Sequence, residues 1–226
     1  ALVVTGTQFI NNSAPQSGGA VYVKGSAILT DAVFSYNRVM TSYGGALYAA
    51  EALTLTGGSF LSNTAVVFGG AVNAMKSVTT RLSPSTGLGT NFISNTVNNG
   101  YGGGLYAICS VDLNGGLFQR NRLLAASSYG GGLYTSGSLA MTDTQFVDNV
   151  ANWFGGGAWA AVAVTATGGA FQNNTATTFS GGGLATGSSG TLTFRDTRFV
   201  SNKACNGGGG AAVSAGVIGT GGLFQG

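Results

Sequence analysis

Histidine is absent from this 226-residue chain, and charge nearly so: 9 Lys and Arg with 6 Asp and Glu make up 7% of its residues. Without an imidazole there is no Ser-His-Asp or Cys-His arrangement, no His general base and no His-containing metal site. Two cysteines, Cys109 and Cys205, do not complete a zinc site by themselves. The six acids are too scattered for the carboxylate clusters of polysaccharide hydrolases and lyases. Asp31, Asp143 and Asp196 occupy a turn position where Gly otherwise stands, Asp112 and Asp148 are isolated, and Glu51 has no acidic neighbour at strand spacing. Glycine runs such as Gly207 to Gly210 are not followed by Lys-Ser/Thr or by a helix, which removes a phosphate loop. No enzymatic activity and no cofactor are expected. A net charge of +3 is too small for a nucleic-acid footprint. Arg120 and Arg122, with Arg38 and Lys203 at the equivalent place in distant units, read as solvated surface. No apolar run reaches the length of about 18 residues that a membrane-spanning helix needs, and no signal peptide is visible. Glycine at 41 positions works against helices of any kind.

What the chain has instead is a repeat. Phenylalanine recurs at Phe9, Phe34, Phe60, Phe92, Phe118, Phe146, Phe171, Phe199 and Phe224, at spacings of 25, 26, 32, 26, 28, 25, 28 and 25 residues. The first eight each begin a Phe-x-x-Asn, ending at Asn12, Asn37, Asn63, Asn95, Asn121, Asn149, Asn174 and Asn202. Glycine runs follow, starting at Gly18, Gly44, Gly69, Gly102, Gly130, Gly155, Gly181 and Gly207. Three residues before each Phe stands Gly or Asp, the types that tolerate a left-handed turn. Upstream of that turn, apolar residues alternate with Thr and others, as in Leu53-Thr54-Leu55, and period two means a half-buried strand. One unit of about 25 residues is being stacked.

Each unit holds a strand after the glycines, a strand before the Gly/Asp turn and a short segment carrying Phe-x-x-Asn. The expected fold is all-β, a right-handed single-stranded parallel β-helix of about eight coils, with a single segment over residues 1–226 that is a fragment of a longer repeat protein. The Phe column fills the core, and the Asn column bridges coils through side-chain amides that satisfy backbone groups at a tight corner. Val21, Leu47, Val72, Leu105, Leu133 and Leu184 point inward, so the next residue in each unit points out: Tyr22, Tyr48, Asn73, Tyr106, Tyr134, Trp159, Ala185 and Ala212. Tyr22, Tyr48, Tyr106, Tyr134 and Trp159 are the candidate recognition surface, since such side chains offer large contact area with few rotors. The alternative is that they pack on one another and cover the sheet. A second aromatic set, Tyr43, Phe68, Tyr101, Tyr129 and Phe154, with Phe179 one residue off, precedes the glycines. The 32-residue spacing is assigned to a loop over residues 74–84. Cys109 and Cys205 lie about four rungs, roughly 19 Å, apart, too far to pair, and are expected as buried free thiols. A Thr column before the turn (Thr5, Thr30, Thr56, Thr142, Thr167, Thr220) is interrupted at Leu88, Asn114 and Arg195, with a mixed neighbouring column (Val3, Ile28, Thr54, Thr86, Asp112); ordinary strand propensity explains it better than ice binding. Two sequons make Asn11 and Asn173 N-glycan acceptors should the source be eukaryotic and secretory.

Phe-x-x-Asn alternating with Gly-Gly-Ala-(Ile/Leu/Val) resembles the repeat of the polymorphic outer membrane protein family, best known as chlamydial surface autotransporters. The resemblance rests on Phe9 to Asn12 with Gly18-Gly19-Ala20-Val21, Phe34 to Asn37 with Gly44-Gly45-Ala46-Leu47, and Phe60 to Asn63 with Gly69-Gly70-Ala71-Val72. Later units place Gly for Ala, as in Gly102-Gly103-Gly104-Leu105. It implies a secreted β-helical passenger at a cell surface, often an adhesin, and transfers no catalytic residue. The expected role is an extracellular or cell-surface module in adhesion or scaffolding. Its expected partners are a protein or glycan at a cell surface, or neighbouring modules of the same assembly. The alternative is a polysaccharide-binding or carbohydrate-active β-helix whose active residues lie outside this segment.

Overall fold

Strands of two to four residues, broken by glycine and other left-handed positions, leave only one way to satisfy their backbone groups, which is pairing with the equivalent strand one repeat away. The computed structural model describes all residues 1–226 and consists of 34 strands with no helix. One coil passes through four of them. In the first coil these are β1 (Leu2–Thr5), β2 (Gln8–Ile10), β3 (Ser13–Ala14) and β4 (Val21–Val23). Their counterparts stack into four parallel sheets, termed A to D in that order, of nine, nine, eight and eight strands. The fold is thus an all-β parallel solenoid of about nine turns. The sequence pointed to three strand segments per unit. The fourth, in sheet C, follows the ladder Asn and spans two residues, too few for an alternation to be read.

Sheet B stacks phenylalanine on phenylalanine, Phe9 opposite Phe34, Phe34 opposite Phe60, and so on to Phe224. Neighbouring ring centroids lie 4.4 to 5.0 Å apart with planes within 11° of parallel. From Phe34 to Phe199 each ring is at most 2% exposed, so each contributes about 1.5–3 kcal/mol by burial. Inward residues of sheet A (Leu29, Leu55, Leu113, Met141) and sheet D (Leu47, Val72, Leu105, Leu133) complete the main core. A smaller second cluster, Val39, Ala65, Val97, Leu123 and Ala151, lies beneath sheet C.

The Asn ladder uses the amide to its full capacity. Asn121 Nδ2 donates to the Phe92 carbonyl at 2.8 Å and to Asn149 Oδ1 at 2.9 Å. Its own Oδ1 accepts from both the backbone nitrogen and Nδ2 of Asn95, each at 3.0 Å. Two donors and two acceptor sites are all an Asn side chain has, so no neutral side chain of similar size replaces it. The residue before each ladder Asn adopts a left-handed backbone, with φ from 52° to 57°: Asn11, Tyr36, Ser62, Ser94, Arg120, Asp148, Asn173 and Ser201. None is glycine, which is why the sequence did not betray this corner.

The other corner, between sheets A and B, is left-handed at the expected Gly/Asp position in every coil except at Gly89. It also alternates with a period of two coils. Asp31-Ala32, Asp143-Thr144 and Asp196-Thr197 are followed one coil later by Gly57-Gly58, Gly168-Gly169 and Gly221-Gly222. A Cβ on Gly168 would collide with the Asp143 carboxylate, and one on Gly169 with the Thr144 carbonyl. The side chain of one coil occupies the space that the glycine of the next leaves free.

The inserted residues are not 74–84. Val78–Arg81 is the regular sheet A strand of its coil, paired along its whole length with Leu53–Thr56. The chain departs after Arg81 and rejoins sheet B at Asn91–Ile93. Val78 and Thr79 pair onward with Val111 and Asp112, after which Thr80 Oγ1 accepts the Asn114 backbone N–H at 3.0 Å in place of a carbonyl. The loop is pinned by Ser83 and Ser85, whose hydroxyls donate to Asp31 Oδ2 at 3.0 and 2.9 Å. Leu88 and Thr86 therefore belong to the loop, and the outward sheet A columns carry Arg81 and Thr79 at these places. The cysteines are unpaired, but they are not buried: Cys109 is half-buried and Cys205 exposed.

Candidate recognition surface

Sheet D carries the aromatic column in register: Tyr22 pairs with Tyr48, Tyr48 with Asn73, Asn73 with Tyr106, Tyr106 with Tyr134, and Tyr134 with Trp159. Alternation sends Leu and Val of these strands into the core and the rings outward. The rings are neither bare nor internal. Tyr22 and Tyr48 stack at 4.8 Å, Tyr106 and Tyr134 at 5.0 Å, and Tyr134 and Trp159 at 4.6 Å, all within 11° of parallel. Tyr22 is 53% exposed and the other four are half-buried.

The second aromatic set flanks the first and interlocks with it. Phe68 stacks on Tyr43 and Tyr101 at 5.4 Å along its own column and reaches Tyr106 at 4.6 Å; Tyr101 reaches Tyr134 at 5.0 Å. Tyr129 meets Trp159 edge-on at 5.6 Å. Trp153, which the repeat pattern did not single out, stands edge-on to Tyr129 and Phe179 at 5.7 and 5.3 Å. The result is one aromatic stripe along sheet D, from Tyr22 to Phe179. It ends where Ala185 and Ala212 replace the rings.

Packing takes the phenols out of water. Desolvation, assisted by neighbouring tyrosines, raises the pKa of Tyr48, Tyr106, Tyr129 and Tyr134 above the ordinary 10.0, with the nearby Ser136 side chain opposing this at Tyr106 and Tyr134. All four stay neutral hydroxyl donors at physiological pH.

Asn73 breaks the column. It is 1% exposed, and its Oδ1 has no hydrogen-bond partner. Over it lies a notch of about 130 Å³ lined by Tyr43, Tyr48, Phe68, Asn73, Met75, Tyr106 and Ile108. The notch has no charged residue in its lining.

One coil was decisive for comparison with known proteins. Residues 6–24 match the Chlamydia polymorphic membrane protein repeat. That stretch contains Phe9 to Asn12 and Gly18-Gly19-Ala20-Val21, one copy of the unit whose later copies form the remaining coils. No curated protein and no solved structure matches the chain.

Elsewhere the surface gathers no comparable feature. No group of three or more Cys, Asp or Glu residues is placed to hold a metal ion, and no helix is long and apolar enough to cross a membrane. Arg38, Arg122 and Lys203 project from sheet C, each three coils from the next, so they do not form a patch. Asn11 and Asn173 are both exposed at the left-handed corner, with their side chains outside the ladder.

Proposed function

We propose that this chain is a non-enzymatic β-helical module of a cell surface, acting in adhesion through the aromatic stripe of sheet D. The observation that carries the reading is the stripe itself: stacked, half-buried rings continued over successive coils and left uncovered on their outer side. The Phe column already fills the core, and the outer stack keeps part of its ring surface open to a partner. Aromatic side chains supply rigid contact area and hydroxyl donors for a protein or glycan partner. The repeat match at residues 6–24 supports a surface location. Under the alternative reading, a structural scaffold, the stripe only shields the ladder of sheet D.

Replacing Tyr48, Tyr106 and Tyr134 together by Ala separates the two. Beads coated with the purified protein are expected to lose at least about tenfold in attachment to cultured cells, while circular dichroism retains the strand signature, as for truncated hot-spot residues. Unchanged attachment with the fold intact would overturn adhesion through this face and leave the scaffold.

A further inference from the structure

We propose that the central part of the aromatic stripe is a radical relay, which takes a one-electron oxidation from tryptophan and delivers it to tyrosine on another coil. This activity is independent of what the stripe binds. The chain concentrates its oxidisable rings in one place, since both tryptophans and every tyrosine except Tyr36 stand in the stripe. Six of these rings form an unbroken series of contacts. Trp153 meets Tyr129 with centroids 5.7 Å apart, Tyr129 meets Trp159 at 5.6 Å, Trp159 stacks on Tyr134 at 4.6 Å, and Tyr134 stacks on both Tyr101 and Tyr106 at 5.0 Å. Tyr101 closes the circuit by meeting Tyr129 at 5.1 Å. Aromatic pairs at such separations touch through their ring atoms, so an electron passes from ring to ring without a gap to cross. The cover that each ring gives its neighbour is what couples them.

The relay has ends. Beyond Tyr101 and Tyr106 lies Phe68, stacked on them at 5.4 and 4.6 Å, and beyond Tyr129 and Trp153 lie Phe154 and Phe179. A benzene ring without a hydroxyl or ring nitrogen holds its electrons far more tightly than phenol or indole, so Phe bounds the relay on both sides. The direction follows from the indolyl radical being the stronger oxidant at neutral pH. First, a radical oxidant takes one electron from the indole of Trp153 or Trp159 and becomes an anion, and the indole N–H proton passes to water. Next, the O–H bond of Tyr129 or Tyr134 breaks; its electron goes to the indolyl ring, its proton goes to water, and water returns a proton to the indole nitrogen. The net change converts one phenol and one radical oxidant into one phenoxyl radical, one proton and one anion. Exchange with Tyr101 and Tyr106 then carries the phenoxyl two coils away from Trp159. All six rings are only half-buried, which keeps water within reach for these proton transfers.

The test is pulse radiolysis of the purified protein with azide radicals, which oxidise indole in preference to phenol, following the optical decay of the indolyl radical and the rise of the phenoxyl radical. The two are expected to run together in a first-order step whose rate does not depend on protein concentration. Tyr129→Phe combined with Tyr134→Phe keeps the stacked rings and removes the two phenols that touch Trp159, and is expected to slow the step by an order of magnitude or more. Tyr36 stands apart at the corner between sheets B and C, 62% exposed, and Tyr36→Phe is expected to leave the rate unchanged. No coupled phenoxyl rise in the unaltered protein, a rate proportional to protein concentration, or an unchanged rate in the folded double variant would overturn the proposal. So would loss of the rise in Tyr36→Phe. The concentration series on the unaltered protein decides by itself should the double variant not fold.

Discussion

The ladder asparagines differ from one another only in how much of their amide is enclosed. Asn121 is fully buried and makes all four of its hydrogen bonds within the ladder. Truncating it to Ala orphans the Phe92 carbonyl and the Asn95 amide groups, each a cost of about 1–3 kcal/mol, and a loss on the order of 3 kcal/mol or more is expected in a urea unfolding titration. Asn12 is exposed and its side chain makes only the bond to Asn37. Its replacement by Ala is expected to cost about 1 kcal/mol or less. Equal losses at the two positions would mean that the ladder is not what holds this corner. At this scale the sequence was informative wherever one residue type meets one demand. Phe and Asn each recur because a stacked ring and a four-bond amide have no substitute. The left-handed position before each Asn was illegible because Asn, Tyr, Ser, Arg and Asp all occupy it, held there by the ladder on one side and sheet B on the other.

Among the elements, the corner between sheets A and B shows how stacking dictates sequence two coils at a time. Gly169 has φ of +68°, and a Cβ there would strike the Thr144 carbonyl of the preceding coil. Gly6 has φ of +58° but nothing within 4 Å of a new Cβ. Gly6→Ala is therefore expected to cost about 1 kcal/mol, the strain of a left-handed Ala. Gly169→Ala must also push two coils apart and is expected to cost at least twice that, by thermal or urea unfolding. Comparable losses would show that conformation alone, not the approach of the neighbouring coil, selects glycine here. The strand Val78–Arg81 illustrates the opposite case. Its core position is Thr80 rather than Leu, so no apolar alternation announced it, and the insertion was placed before the strand instead of after it. Only pairing with Leu53–Thr56 reveals it as an ordinary member of sheet A. The two-residue strands of sheet C were invisible for a related reason: their identity comes from the strands above and below.

In the whole molecule, stability and the aromatic stripe are linked through protons. Tyr48, Tyr106, Tyr129 and Tyr134 bind their protons more tightly folded than unfolded, because burial disfavours the phenolate. Their contribution is fully present below the unfolded pKa of 10.0 and is lost as pH rises through the higher folded values. Urea midpoints measured from about pH 8 to about pH 11 are expected to hold level and then fall. The tyrosine-to-alanine triple variant is expected to show a shallower fall; an identical alkaline slope in both proteins would assign it to other groups.

The sequence by itself determined the repeat length, the solenoid, the Phe core and the Asn ladder, because each of these demands one residue type at one place in every coil. It also placed the outward tyrosines, since strand alternation fixes which face a residue takes. Only the tertiary structure decided which coil neighbours answer one another: the Asp of one coil over the Gly of the next, Phe68 leaning onto Tyr106, and Asn73 enclosed without a partner. Those relations join residues about 25 to 40 positions apart across a rung of about 4.8 Å. In a parallel solenoid the strongest contacts run perpendicular to the chain, where linear sequence carries no direct record of them.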